Sequence, residues 1–166
     1  MERPAMKALT LLKSGDELRQ RLGEPGAQLS VRELHPWVST VVTGLWVDGR
    51  YGLAVAQAAA SVNSHTQAKL RRFDTTETGL FSEAFSTDPP KPGRPRLRIM
   101  PDDDSKSFAS VHRGARALAE GLYAGIRNPL AHQVDAGLLA QQVALEQVAA
   151  FSLLARWVDS AEVVTA

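Results

Sequence analysis

The run FASVHRGARALAEGLYAGIR, residues 108–127, repeats its apolar side chains with the period of an α-helix. At about 100° per residue, Phe108, Val111, Ala115, Leu118, Ala119, Leu122 and Ile126 fall within roughly one third of the circumference. His112, Arg113, Arg116, Glu120, Tyr123 and Arg127 gather in a second stripe beside the first. One face packs, and the other presents charge and an aromatic ring in a line that ends at Arg127. The second stripe reads as a solvated helix face, with Glu120 placed to neutralise Arg116, or as the lining of a cleft or dimer seam.

Arg127 is followed by Asn128 and Pro129, and the residue before a proline is biased out of the helical region. A stop or kink is therefore expected here, with Asn128 as N-cap and Pro129 as first residue of the next turn. Such a break would project Arg127 and His132 from a fixed bend. A lone arginine is usually surface and a lone histidine usually structural, so it is their pairing at a prolyl break that makes them candidates. Local hydrogen bonding that only shapes the bend is the competing role for both, and helix capping is the competing role for Asn128.

Outward from this segment, alanine and leucine abound and β-branched alternation is nearly absent, so the remaining elements read as helices. An amphipathic arm is expected over Ala5 to Leu22, closed by a hinge at Gly23-Glu24-Pro25-Gly26, giving an appendage over residues 1–26. The main domain then spans 27–160, with a tail at 161–166. A helix starts either at Ser30, which has capping-box spacing to Glu33, or after His35 with Pro36 at its first position. Trp37, Val38, Val41, Val42, Leu45 and Trp46 follow at helical spacing up to the Asp48-Gly49 turn.

A second helix is expected from Arg50 to Arg72, and a short apolar stretch follows over Leu80 to Phe85. Five prolines between residues 89 and 101 forbid a helix there, so residues 87–104 are expected to form a partly mobile basic loop or small hairpin. Within it Leu97-Arg98-Ile99 has room for one strand, and Arg94, Arg96 and Arg98 either touch phosphate or merely keep the loop soluble. The last helix is expected over Asp135 to Val158, with Leu138, Leu139, Val143, Val148, Phe151, Leu154, Ala155 and Val158 facing inward. The fold class is all-α, a bundle of four or five helices.

Composition narrows the chemistry. The chain has no cysteine, which excludes disulfides, a thiolate nucleophile and thiolate-bound metal, and is compatible with the cytosol. Its four histidines are scattered without metal-ligand spacing, and no phosphate-cradling glycine loop is present. No apolar run approaches the roughly 18 residues of a membrane span. A net charge of +1 leaves any anionic partner to a local patch.

Gly125-Ile126-Arg127-Asn128-Pro129-Leu130-Ala131-His132 resembles the R-x4-H signature of the HEPN superfamily. More narrowly it resembles the conserved-hypothetical Ymh family of prokaryotes, in which a G-x-R-N-P-x-A-H run is typical. Leu34-His35-Pro36, Asp48-Gly49-Arg50-Tyr51 with Ala54-Val55, Phe85-Ser86 and Ser152 to Arg156 are similar to further motifs of that family, so the resemblance covers about residues 32 to 158. Gln133 stands where relatives often have glutamate, and Glu77-Thr78-Gly79-Leu80-Phe81 replaces their D-G-x-x-L stretch.

The resemblance implies a HEPN-like helical bundle and a metal-independent endoribonuclease, acting as a toxin or anti-phage effector without cofactor. The expected product carries a 2′,3′-cyclic phosphate. Active relatives join the motifs of two chains at one composite site, which implies a homodimer through the motif face, with an antitoxin or defence-system protein as further partner. Histidine titrates near neutrality and moves protons, whereas arginine stays charged and grips phosphate with two hydrogen bonds. His132 is therefore the expected proton-transfer residue, Arg127 the phosphate ligand and Asn128 an orienting group, with Arg113, Arg116 and Tyr123 as substrate-binding residues. The competing expectation is a non-catalytic interaction or dimerisation module, for which an apolar arm on a hinge is a natural docking element.

Overall fold

The computed structural model describes residues 29–132 and 139–166, with the side chains of residues 131 and 132 outside the description. The chain divides into two compact units, Met1–Ser30 and Val31–Ala166. The helical arm expected before Gly23, Gln133, and the expected helix start at Asp135 through Leu138 all lie outside the described residues.

The second unit is all-α apart from one tiny sheet. A 3-10 turn at Val31–Glu33 precedes α1, Pro36–Val47. Of the two expected starts the later one is used. Pro36 opens the helix because its missing N–H costs nothing there, and His35 caps it, Nδ1 accepting from the Trp37 N–H at 3.4 Å. The helix ends at the Asp48-Gly49 turn, where Gly49 adopts φ +70°.

Helix α2, Tyr51–Leu70, is the central element. Its buried face carries Ala54, Val55, Ala58, Ala59 and Val62, and the run of small side chains lets neighbouring helices approach closely. It packs against α1 and against α6, Gln141–Ser160, which buries Ala144, Val148, Phe151, Leu154, Ala155 and Val158. Val143, expected inside, is 41% exposed, in the first turn of the helix. Helix α3, Glu77–Ala84, adds Leu80, Phe81 and Ala84 to the core.

Helix α4, Lys106–Leu122, starts at Ser105, whose Oγ accepts from the Phe108 N–H at 3.0 Å. Its buried stripe is Phe108, His112, Ala115, Ala119 and Leu122. Sorting by polarity assigns His112 to the wrong face and Val111, 39% exposed, to the core. His112 is fully buried because both ring nitrogens are satisfied there: Nδ1 lies 2.8 Å from the Phe108 carbonyl, and Nε2 accepts from the Ile99 N–H at 3.2 Å.

Ile99 follows strand β1, Arg96–Arg98, which pairs antiparallel with β2, Glu162–Val164. The expected tail is thus partly strand, and it ties the proline-rich loop down. The Lys91–Arg94 bridge, turning through Gly93 at φ +69°, makes the small hairpin. Arg96 and Arg98 are buried, donating to the carbonyls of Ser86, Thr87, Asp88 and Arg94, while Arg98 also stacks over the Phe108 ring at 5.4 Å. Neither is placed to touch a solution phosphate directly, which corrects the open expectation for this loop. Arg94, half-exposed, pairs with Glu83 at 3.1 Å.

Candidate functional site at the π-turn

After Leu122 the helix does not stop. Residues Tyr123–Arg127 form one π-helical turn, and α5, Asn128–His132, continues from it. The Asn128 N–H bonds back five residues to the Tyr123 carbonyl, and Asn128 is helical at φ −65°, ψ −46°. The expected stop after Arg127 does not occur, and Asn128 is helical rather than an N-cap. In an α-helix the Pro129 ring would press on the carbonyl four residues back, at Gly125, and its missing N–H would orphan an acceptor. A π-turn widens the ladder there and relieves the clash. Such turns are rare and concentrate at functional sites.

Arg127 is the last residue of this turn. Its Nε forms an ion pair with Glu77 Oε1 at 2.9 Å, and one terminal nitrogen donates to Asn128 Oδ1 at 3.4 Å. The Arg127 side chain is 40% exposed and that of Glu77 25%, so the guanidinium is partly open to solvent, and among the described residues its partners are Glu77 and Asn128.

Glu77 is the site residue that sequence reasoning missed; the only signal was its place in the stretch that departs from the family's D-G-x-x-L run. It opens α3 with φ +50°, a left-handed conformation that costs a non-glycine residue energy. Asn63 of α2 helps hold it, Oδ1 accepting from the Glu77 N–H at 2.7 Å, and Asn63 is in turn bonded to Gln67, whose amide donates to the Thr75 carbonyl. Two helices and a loop thus fix the carboxylate that orients Arg127.

Tyr123 lies elsewhere than expected. It is fully buried, its ring stacked on Phe81 at 5.3 Å and edge-on to Phe151 at 5.5 Å, and its hydroxyl donates to the Ala59 carbonyl at 2.9 Å. Burial, with the nearby Glu77 carboxylate adding to it, raises its pKa well above the ordinary 10.0, so the phenol is a neutral core donor and not a substrate ligand. Arg113 and Arg116 are exposed on α4 and line clefts against α3. One, of about 360 Å³, lies between both arginines and Phe85 to Asp88. The other, of about 260 Å³, lies between Arg116, Glu120 and the Thr78, Gly79 and Ser82 side of α3. No Arg116–Glu120 ion pair forms among the described residues.

The backbone of His132 closes α5, five residues beyond Arg127; its side chain lies outside the described residues. His35 is structural, as the weightier expectation held: its N–H donates to Ser152 Oγ at 2.8 Å, and Nε2 lies 3.3 Å from Asp159. Among the described residues no three histidines or carboxylates come together as a metal site, and no helix is long and apolar enough to cross a membrane.

Residues 32–158 match the family described as protein of unknown function (Hypoth_ymh), and the chain belongs to that family. No curated protein and no solved structure matches it significantly.

Proposed function

We propose that this chain is a metal-independent endoribonuclease of the HEPN type, with Arg127, Asn128 and His132 as its centre. The observation that carries this reading is the half-exposed Arg127, anchored by Glu77 at 2.9 Å on a π-turn, five residues ahead of His132 on one helical segment. That is an expensive way to build a surface arginine. Strain at Glu77 and a helix widened by Pro129 together cost a few kcal/mol that no packing need of Arg127 explains.

RNA supplies its own nucleophile. His132 of one chain takes the proton of the 2′-hydroxyl, whose oxygen attacks the adjacent phosphorus. Arg127 stabilises the charged phosphorane. The bond to the 5′-oxygen breaks, that oxygen takes a proton from the second copy's imidazole, and a 2′,3′-cyclic phosphate remains. Asn128 orients the guanidinium through its side-chain oxygen. One motif per chain offers one histidine, so the reading requires a homodimer. Exposed Ala117, Gly121, Ala124 and Gly125 lead up to the motif, so a second backbone could approach closely there. A toxin or anti-phage role, and a partner protein that restrains it, rest on the resemblance alone.

The test is incubation of the wild type, Arg127→Ala and His132→Ala with total cellular RNA. Cleavage with cyclic-phosphate ends is expected only from the wild type, with all three melting alike. A second reading, a non-catalytic interaction module, is favoured by the Glu77 contact, since an arginine satisfied within its own fold is also what a structural residue looks like. Wild-type protein that cuts no RNA, alone or with its partner, selects that reading.

A further inference from the structure

The cleft at the far end of α4 carries more positive charge than its surface side chains suggest. Arg113 and Arg116, one turn apart on α4, form one wall and make no ion pair among the described residues. The opposite rim is Ser86 to Asp88, directly after α3. Behind that rim lie the guanidinium groups of Arg96 and Arg98, 5% and 7% exposed. Their hydrogen bonds among the described residues go only to main-chain carbonyls, including those of Ser86, Thr87 and Asp88. The carbonyls of this rim are turned onto these cations, and the Ser86 hydroxyl oxygen accepts from the Asp88 N–H at 3.2 Å. Four guanidinium charges therefore bear on this cleft, two at its wall and two buried, against the Asp88 carboxylate at its edge and Asp102, which also acts on Arg98; Glu120 lies in the next cleft, beyond Arg116. Cations at a weakly screened, partly enclosed surface focus a field that favours anions.

We propose that this cleft is a second phosphate subsite, which holds the RNA strand at a distance from the bond cut at Arg127. The inference rests on the ribonuclease reading. Fourteen residues separate Arg113 from Arg127, about 21 Å along the helix axis at 1.5 Å per residue. A stacked strand, advancing 3.4 Å per nucleotide, covers that distance in on the order of six nucleotides. The site thus selects a polynucleotide over a short fragment, and Arg116 lines both clefts, carrying the positive surface along α4.

The experiment is fluorescence anisotropy with labelled RNA 10-mers and 3-mers of mixed sequence, from 50 to 200 mM salt, in the full-length His132→Ala background. The expected result is tighter binding of the 10-mer. Adding Arg113→Ala and Arg116→Ala should reduce that preference about tenfold and lower the salt slope by about 1.4, the value for two single-strand phosphate contacts. Both side chains are exposed, and an unchanged melting curve checks that the fold survives. Equal 10-mer binding and salt slope in the double variant overturns the subsite; if Arg127→Ala weakens binding in the same assay, the ribonuclease reading stands. No 10-mer binding at all likewise overturns the subsite. Length-dependent binding that needs Arg113 and Arg116, together with a wild type that cuts no RNA, supports the subsite and removes the ribonuclease reading.

Discussion

Replacing Tyr123 by phenylalanine separates a core role from a substrate role at the residue where sequence and structure disagree most. The substitution removes one hydroxyl and keeps the ring between Phe81 and Phe151. The acceptor it leaves, the Ala59 carbonyl at 2.9 Å, lies within α2 and retains its helical partner, so no buried group is orphaned. The expected cost is that of one ordinary hydrogen bond, about 1 kcal/mol, or a fall of about 2–4 °C in Tm for a chain of this size. Tyr123→Ala also empties a closed site and should cost about 3–5 kcal/mol.

The pH dependence carries a second signature. Burial raises the folded pKa of Tyr123 above the unfolded 10.0, so its stabilising effect is complete below pH 10 and is lost as pH rises beyond it. The wild type should therefore lose stability above pH 10 more steeply than Tyr123→Phe. Thermal melts followed by circular dichroism from pH 7 to 11, with RNA binding measured at pH 7, test both parts. A variant that melts like the wild type but binds RNA poorly would refute the buried assignment.

Other perturbations follow from the same contacts. Glu77→Ala should lower RNA cleavage by up to about a hundredfold, because an unbuttressed Arg127 leaves its productive position. Its stability should change by no more than about 1 kcal/mol, since the pair is partly exposed; wild-type kcat/KM in this variant would remove the positioning role. Ser152→Ala orphans the buried His35 N–H and should cost about 1–3 kcal/mol in urea unfolding, with RNA cleavage untouched. Arg72 holds the Asp74 carboxyl below its ordinary 3.8, so this pair stabilises the fold above that pH and fails as pH drops through the lowered value. Asp74→Asn should accordingly flatten the acid limb of stability below about pH 4, read by tryptophan fluorescence; an unchanged limb would show that the pair contributes nothing.

Much of the fold was legible because local forces dictate it. Apolar spacing marked α1, α2, α4 and α6, and the Asp48-Gly49 turn follows from turn chemistry. The class, all-α, and membership of the family were present in short motifs, and the Arg127-Asn128-Pro129 run could be singled out from residue types alone. What the sequence could not supply was which polar groups the fold would satisfy. His112 and Tyr123 read as surface residues until β1 and α2 provide their hydrogen-bond partners, and Arg96 and Arg98 read as loop charges until the Ser86 to Asp88 carbonyls turn to meet them.

The π-turn and the Glu77–Arg127 pair belong to the same class. A proline after Asn128 signals a helix break by local rules, whereas Tyr123 is buried in the core, Ile126 packs against it, and the chain stays helical through one widened turn. Glu77 meets Arg127 across fifty residues of chain, held by Asn63 of a third element. Sequence by itself therefore determined the helices, their apolar faces and the residue types of the centre, because these depend on neighbours a few positions away. Tertiary structure decided which side chains are buried, how the arginine is aimed and where positive charge accumulates, because desolvation and hydrogen bonding are settled by groups far away along the chain.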